Sequence, residues 1–246
     1  MIVSGDHLPE FKEESRISMG EFKKVTAIDG HTLSAYEAKP EGEAIGAIVL
    51  IQEIFGLNKD IRKMADDFAA QGYLVLAPAT QDRIEPGLEL GYEGDDLKKA
   101  FDYYGKLSVD TALLDVAAAY TELEKAGKGI AVVGYCYGGL MSWLSATRGE
   151  TVKMQPSCCV GYYAGGIGKV ATEDPSCPVM LHFGADDDHI GADQIDAVRN
   201  AHPEVEIFLY EGAGHAFSNA GRKSYVPAAA KLAGERTLEF LKNNVA

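Results

Sequence analysis

The stretch VVGYCYGG, residues 132–139, decides how the rest of the sequence is interpreted. Two valines lead into Gly134, and Cys136 follows two residues later, just before the pair Gly138 and Gly139. This order is typical of a strand that turns sharply into a helix, the G-x-S-x-G nucleophile elbow, with Cys136 in the serine position. The pattern predicts that Cys136 is a nucleophile pointing into a cleft and not a small core residue.

Buried strands alternate with helices on both sides of this elbow. The predicted strands cover 44–52, 73–78, 129–134, the CCVGYY segment at 158–163, 178–184 and 205–212, after a hairpin over 20–38. The predicted helices cover 58–72, 110–127, 137–147, 191–201 and about 224–243, whereas 79–94 is predicted to be a loop. Continuous apolar strands between helices indicate an α/β fold, a mostly parallel sheet with helices on both faces. We expect one domain over residues 1–246.

Composition narrows the class of partner and the compartment. The chain has 246 residues, 23 basic and 37 acidic, with a net charge of −14, which disfavours nucleic acid and anionic membrane surfaces as partners. No apolar run approaches the roughly 20 residues that span a bilayer, and MIVSGDHLPEFKEESR lacks the pattern of a signal peptide. Four irregularly spaced cysteines do not form a disulfide scaffold, so we expect a cytoplasmic protein.

Candidate reactive residues follow the carboxyl ends of the predicted strands, where the functional groups of an open α/β sheet gather. They are Glu53, Arg83, Cys136, one of the aspartates at 186–188, and His215. The chain order of nucleophile, acid and histidine is that of α/β-hydrolases, in which the histidine carries protons and the acid orients it. Residue chemistry alone leaves the choice among Asp186, Asp187 and Asp188 open.

Two backbone groups are candidates to stabilise an oxyanion. The helix after the elbow offers the unpaired N–H of Tyr137 and a positive dipole end, and the loop after 44–52 offers the N–H of Ile54. A metal site at DDDH, with His189 as a ligand, is an alternative, but no other histidine or cysteine falls at a recognisable ligand spacing. We predict no metal and no cofactor.

Four motifs resemble the dienelactone hydrolase family, over about residues 20–243. They are QEIFGLN at 52–58, GYCYGG at 134–139, HFGADDDHI at 182–190 and YEGAGHAF at 210–217. The resemblance implies an α/β-hydrolase fold and cofactor-free hydrolysis of a lactone or ester by a Cys-His-Asp triad. The family's namesakes convert the dienelactone of chloroaromatic degradation to maleylacetate.

The motifs also carry residue roles. By resemblance the triad is Cys136, His215 and Asp187, and Glu53 pairs with the resting cysteine and helps to generate the thiolate. Arg83 corresponds to an arginine that holds the substrate carboxylate. The sequence departs from the family where a second such arginine is expected, because this position is Asn219, and Arg222 is the candidate to replace it.

These observations predict a cysteine-dependent hydrolase of a small, anionic lactone or ester. The alternatives are a hydrolase of another ester on the same scaffold, a glutamine-amidotransferase-like protein and a redox sensor that uses Cys136. An acid placed after its own strand argues against the amidotransferase, and the absence of a cysteine adjoining the elbow argues against the sensor.

Overall fold

The computed structural model describes residues 20–245. The eight strands are β1 Glu21–Thr26, β2 Thr32–Ala38, β3 Gly46–Ile51, β4 Tyr73–Pro78, β5 Ile130–Tyr135, β6 Cys158–Tyr162, β7 Val179–Gly184 and β8 Glu206–Tyr210. The six α-helices are α1 Lys59–Ala70, α2 Gly94–Tyr104, α3 Val109–Glu124, α4 Tyr137–Arg148, α5 Ala192–Ala201 and α6 Pro227–Val245. The prediction of one domain includes residues 1–19 and 246, which lie outside this range, and it stays a prediction.

The strands form one sheet in the order β1-β2-β4-β3-β5-β6-β7-β8. Strand β2 pairs antiparallel with both β1 and β4, and the remaining pairings, from β4 through β3 to β8, are parallel. All residues of β3, β5, β6 and β7 are buried, as their continuous apolar sequences predict. Parallel strands bring their carboxyl ends to one edge, so the segments after β3, β5, β7 and β8 meet there.

Local sequence explains where the elements near this edge begin and turn. The side chain of Asn58 caps α1 by accepting hydrogen bonds from the N–H groups of Asp60 and Ile61. The hairpin turns at Asp29 and Gly30, where Gly30 has a φ of 88°. No helix within residues 20–245 is long and apolar enough to cross a membrane.

The predicted strands and helices are present with ends within three residues of those expected, but one helix was missed. Helix α2 begins at Gly94, at the end of the segment predicted to be a loop. Its apolar residues Leu97, Ala100, Phe101 and Tyr104 have the spacing of one helical face. The glycines and the proline in 79–94 obscured that signal, and the prediction left 95–109 without an element.

Candidate active site

The backbone at Cys136 has the strained geometry of a nucleophile elbow. Cys136 lies between β5 and α4 with a φ of 56° and a ψ of −116°, a backbone conformation that residues other than glycine rarely adopt. A Cβ atom on Gly134 would lie 1.8 Å from the carbonyl oxygen of Gly138, and one on Gly138 would lie 2.3 Å from that of Ile51. Both glycines are therefore required for the strand and the helix to pack this closely.

Three side chains from separate loops form a continuous chain of contacts. His215 Nε2 lies 3.2 Å from Cys136 Sγ, and His215 Nδ1 lies 2.8 Å from Asp187 Oδ2. The other carboxylate oxygen of Asp187 accepts hydrogen bonds from the N–H groups of His189, at 2.8 Å, and Ile190, at 3.2 Å. These bonds fix the carboxylate, which in turn orients the imidazole towards the sulfur.

The neighbouring aspartates form no hydrogen bond or ion pair with His215. Asp186 and Asp188 are exposed, whereas the side chain of Asp187 is completely buried. The structure therefore brings Asp187, of the three aspartates that the residues left open, to the histidine.

Hydrogen bonding favours opposite charges on His215 and Asp187. Burial opposes the charged imidazolium, but hydrogen bonds to Asp187 and Cys136 outweigh it and raise the pKa of His215 to about 10. Burial likewise opposes the charged carboxylate, and the hydrogen bond from His215 and those from two backbone N–H groups outweigh it and lower the pKa of Asp187. A protonated imidazole beside the sulfur is suited to stabilise a thiolate.

Glu53 lies on the loop after β3 and is buried, with 1% of its surface exposed. Its Oε2 accepts a hydrogen bond from Asn219 Nδ2 at 3.1 Å and lies 3.6 Å from Arg222 Nη1. Burial raises the pKa of Glu53, and the nearby Arg222, His215 and Asn219 only partly offset it. Within the described part of the chain, Oε1 has no hydrogen-bond partner.

The pairing of Glu53 with the resting cysteine, which the resemblance implies, differs from this geometry. The hydrogen bonds found within residues 20–245 include one between Cys136 and His215 but none between Cys136 and Glu53. Asn219, at the position where the resemblance predicts an arginine, donates to only one oxygen of the Glu53 carboxylate.

The candidate oxyanion donors line the same cavity as the nucleophile. Tyr137 is the first residue of α4 and Ile54 follows Glu53, and both contribute to the cavity wall beside Cys136. Neither backbone N–H has a hydrogen-bond acceptor among residues 20–245, so both are available to an incoming oxygen.

Arg83 lies outside the cavity wall and forms ion pairs with two aspartates. Its guanidinium donates to Asp115 Oδ2 and Oδ1, at 2.8 and 2.7 Å, and to Asp29, at 2.8 and 3.2 Å. Asp115 is completely buried, so removing Arg83 would leave a buried carboxylate without its positive partner. Arg83 is not part of the cavity wall, and this geometry does not fit the expected role of holding a substrate carboxylate.

Arg222 does contribute to the cavity. Its guanidinium carbon lies 4.9 Å from the ring centres of both Phe55 and Tyr92, and its side chain is 20% exposed. The aromatic faces hold the cation by cation–π attraction while leaving some of its N–H groups open to a ligand. Among the lysines and arginines of residues 20–245, only Arg222 lines the cavity.

The cavity has a volume of about 390 Å³ and is lined mainly by apolar and aromatic side chains. The lining residues are Ile54, Phe55, Tyr92, Leu97, Phe101, Tyr104, Cys136, Tyr137, Gly165, Gly166, His189, His215 and Arg222. Three of them belong to the missed helix α2, so the sequence prediction omitted one wall of the site.

His189 is also part of the wall, with its ring edge-on to that of His215 at 5.0 Å. The DDDH segment makes His189 a candidate metal ligand. Among residues 20–245, no group of three or more histidine, cysteine, aspartate or glutamate side chains is placed to hold a metal ion.

Comparison with known proteins agrees with the motifs. The model of the dienelactone hydrolase family matches residues 33–245. A carboxymethylenebutenolidase from Pseudomonas putida is 30% identical over 226 residues, covering 88% of this chain and 94% of the relative. The chain belongs to the dienelactone hydrolase family. A carboxymethylenebutenolidase from Pseudomonas sp. strain P51 is 32% identical over 209 residues, covering 80% of this chain and 84% of that protein.

The family membership establishes the fold and the general activity. The predicted α/β-hydrolase fold is confirmed, and the chain is a hydrolase that acts on esters or lactones. A dienelactone hydrolase-like promiscuous phosphotriesterase from metagenomic libraries superposes with a TM-score of 0.74 at 18% identity. That alignment covers 93% of this chain and 100% of the other, and it shows the shared fold.

Proposed function

We propose that this hydrolase cleaves a small anionic lactone or ester through a covalent thioester on Cys136, with dienelactone conversion to maleylacetate as the candidate reaction. The observation that carries the proposal is the chain of contacts from Asp187 through His215 to Cys136 at a strained elbow. A thiol in this arrangement is activated by the adjacent base and by the helix N-terminus.

The proposed reaction has two steps. The Cys136 thiolate attacks the carbonyl carbon, and the N–H groups of Ile54 and Tyr137 stabilise the oxyanion as the C–S bond forms. As the intermediate collapses, the carbon–oxygen bond of the ester breaks and protonated His215 donates its proton to the departing oxygen. This oxygen leaves as an alcohol or, for an enol lactone, as an enol that remains tethered to the acyl group. A water molecule then attacks the thioester while neutral His215 accepts one of its protons. Collapse breaks the carbon–sulfur bond, which releases the carboxylic acid and restores the Cys136 thiolate beside protonated His215.

An anionic substrate requires a local cation, because the chain carries a net charge of −14. Arg222 supplies this cation in the proposal, since it lies beside Glu53 and the aromatic rings and lines the cavity. No cofactor takes part in these steps. We also propose a cytoplasmic location, because a reducing compartment preserves a thiol nucleophile.

The nucleophile is tested by incubating wild type and Cys136→Ala with p-nitrophenyl acetate and with cis- and trans-dienelactone. We expect Cys136→Ala to lose turnover, and quenched wild type to carry the acyl mass on the peptide that contains Cys136. Cys177→Ser is the matched control, since Cys177 is also partly exposed but lies outside the cavity wall. Wild-type turnover in Cys136→Ala would refute the proposal, whereas a peroxide-induced disulfide at Cys136 in a protein without turnover would favour the redox sensor.

The anion site is tested by comparing Arg222→Gln with Lys223→Gln, the neighbouring residue, whose side chain is 87% exposed. Both changes remove one positive charge. We expect Arg222→Gln to raise KM for carboxylate-bearing substrates about 10- to 150-fold more than for neutral esters, the value of a charge-assisted hydrogen bond. Equal effects of the two variants would exclude Arg222 from carboxylate binding.

A further inference from the structure

The wall that α2 contributes to the cavity is a single apolar face. Leu97, Phe101 and Tyr104 are four and three residues apart, which brings their side chains to the same side of the helix. All three line the cavity that contains Cys136. Lys98 lies about 100° around the helix from Leu97, and its side chain is 80% exposed and pairs with Asp95.

This face leaves aromatic surface open to water. Phe101 is 53% exposed and Tyr104 is 39% exposed, although both belong to an amphipathic helix that buries Ala100 completely. Contiguous exposed aromatic surface in a concave site is typical of a binding subsite, because covering it with an apolar group is favourable.

The subsite is continuous with the nucleophile. The ring of Tyr104 lies edge-on to that of Tyr137, with 6.1 Å between their centres, and Tyr137 is the residue after Cys136. On another part of the wall, Phe55 and Tyr92 surround Arg222. A substrate at Cys136 therefore has an aromatic surface beside the reacting bond and, separately, a cation within the same cavity.

Given the hydrolase mechanism proposed above, on which this inference rests, we propose that Leu97, Phe101 and Tyr104 form a subsite for a flat hydrophobic group of the substrate. The preferred substrates are then esters or lactones that carry an aryl or similar ring as well as the reacting carbonyl. A volume of about 390 Å³ lies within the range of about 300–1,000 Å³ that is typical of small-molecule sites, so it accommodates such a ring beside the ester.

Two matched ester series test the subsite. The first keeps the methanol leaving group and compares methyl 3-phenylpropanoate with methyl acetate, and the second keeps the acetyl group and compares benzyl acetate with methyl acetate. We expect the aryl ester to have a kcat/KM about 10-fold or more above methyl acetate in at least one series, the effect of burying an apolar group of this size. Phe101→Ala and Leu97→Ala are each expected to lower that aryl-to-methyl ratio about 3- to 10-fold.

Lys98→Ala is the control, because it alters the same helix on its solvent side and is expected to leave the ratio at the wild-type value. Circular dichroism of each variant confirms that α2 is intact. A wild-type ratio near one in both series, or a ratio that Phe101→Ala leaves unchanged, would overturn the subsite. Failure of the hydrolase mechanism is separate, since it would show as hydrolysis of methyl acetate that is equal in wild type and Cys136→Ala.

Discussion

Two histidines lie near the carboxyl ends of β7 and β8 in enclosed but chemically different surroundings. His182 lies within β7 and is completely buried. Its ring nitrogens lie 2.8 Å from Tyr210 Oη and 3.0 Å from Thr237 Oγ1, two neutral hydroxyls. Burial, with a smaller contribution from the positive charge of Arg236, lowers the pKa of His182 to about 3.

His215 is also largely enclosed, with 12% of its side chain exposed, but its partners are Asp187 and Cys136. These two groups raise its pKa to about 10 against the effect of burial. Burial alone therefore keeps an imidazole neutral, and a carboxylate within hydrogen-bond distance reverses the preference. The difference separates a histidine that fills the core from one that is equipped to hold and release a proton.

Replacing His215 by glutamine should lower kcat, whereas replacing His182 by glutamine should lower the free energy of unfolding. His215→Gln removes the proton carrier beside Cys136, and we expect kcat to fall about 10³-fold or more. His182→Gln removes two buried hydrogen bonds, and we expect kcat within about threefold of wild type and a free energy of unfolding lower by about 1–3 kcal/mol. Steady-state kinetics with p-nitrophenyl acetate and urea denaturation measure the two effects. Comparable losses of kcat would erase the distinction between the two histidines.

Asp187→Asn makes the surroundings of His215 resemble those of His182, because an amide replaces the charged partner. We expect kcat to fall about 10²- to 10⁴-fold, since the imidazole loses both its orientation and the charge that stabilises the imidazolium. Asp186→Asn is the control, because Asp186 is exposed and forms no hydrogen bond or ion pair with His215. If Asp186→Asn is the more damaging change, the carboxylate that orients His215 in solution is not Asp187.

The sequence predicted the elbow and the alternation of strands and helices because these features depend on local patterns. The partners of Arg83 were not predictable in this way, because Asp115 and Asp29 are 32 and 54 residues distant in the chain. The aromatic support of Arg222 likewise depends on Phe55 and Tyr92 meeting through the fold. Helix α2 is different, since the spacing of its apolar residues was present in the sequence and could have been used.

The stability of the protein should depend on His182 in a defined direction of pH. The pKa of His182 is about 3 in the folded chain and about 6.5 in the unfolded chain, so only the unfolded state gains the proton as pH falls below 6.5. The stabilisation is therefore complete above pH 6.5 and declines as pH falls towards 3. Between pH 7 and pH 5.5, above the sequence pI of about 4.8, wild type should lose about 1 kcal/mol more than His182→Gln.

Urea denaturation at the two pH values measures this difference, and His189→Gln, which removes a histidine whose side chain is 59% exposed, serves as the control. The wild type and His189→Gln should lose stability to a similar extent. Parallel losses in wild type and His182→Gln would show that His182 is not held neutral.

Glu53 provides the finest test of the same principle, because it combines the burial of His182 with a place in the catalytic cavity. Burial raises its pKa, so the neutral acid is favoured more than in water, although Arg222 lies 3.6 Å away. Glutamine has nearly the same shape as that neutral acid and still accepts a hydrogen bond from Asn219.

Because the sulfur of Cys136 contacts His215, we expect Glu53→Gln to lower kcat by about tenfold or less. We also expect it to change the rate at which iodoacetamide alkylates Cys136 only a little. Glu53→Ala should cost more, since it removes one of the two acceptors of the buried Asn219 amide and leaves only Tyr92 Oη. A loss of kcat above about 10³-fold in Glu53→Gln, together with faster alkylation, would instead mean that Glu53 restrains the resting thiol and takes its proton when substrate binds. His215→Gln sets the scale for both readouts, because it removes the group that the geometry assigns to the thiol and should slow alkylation as well as turnover.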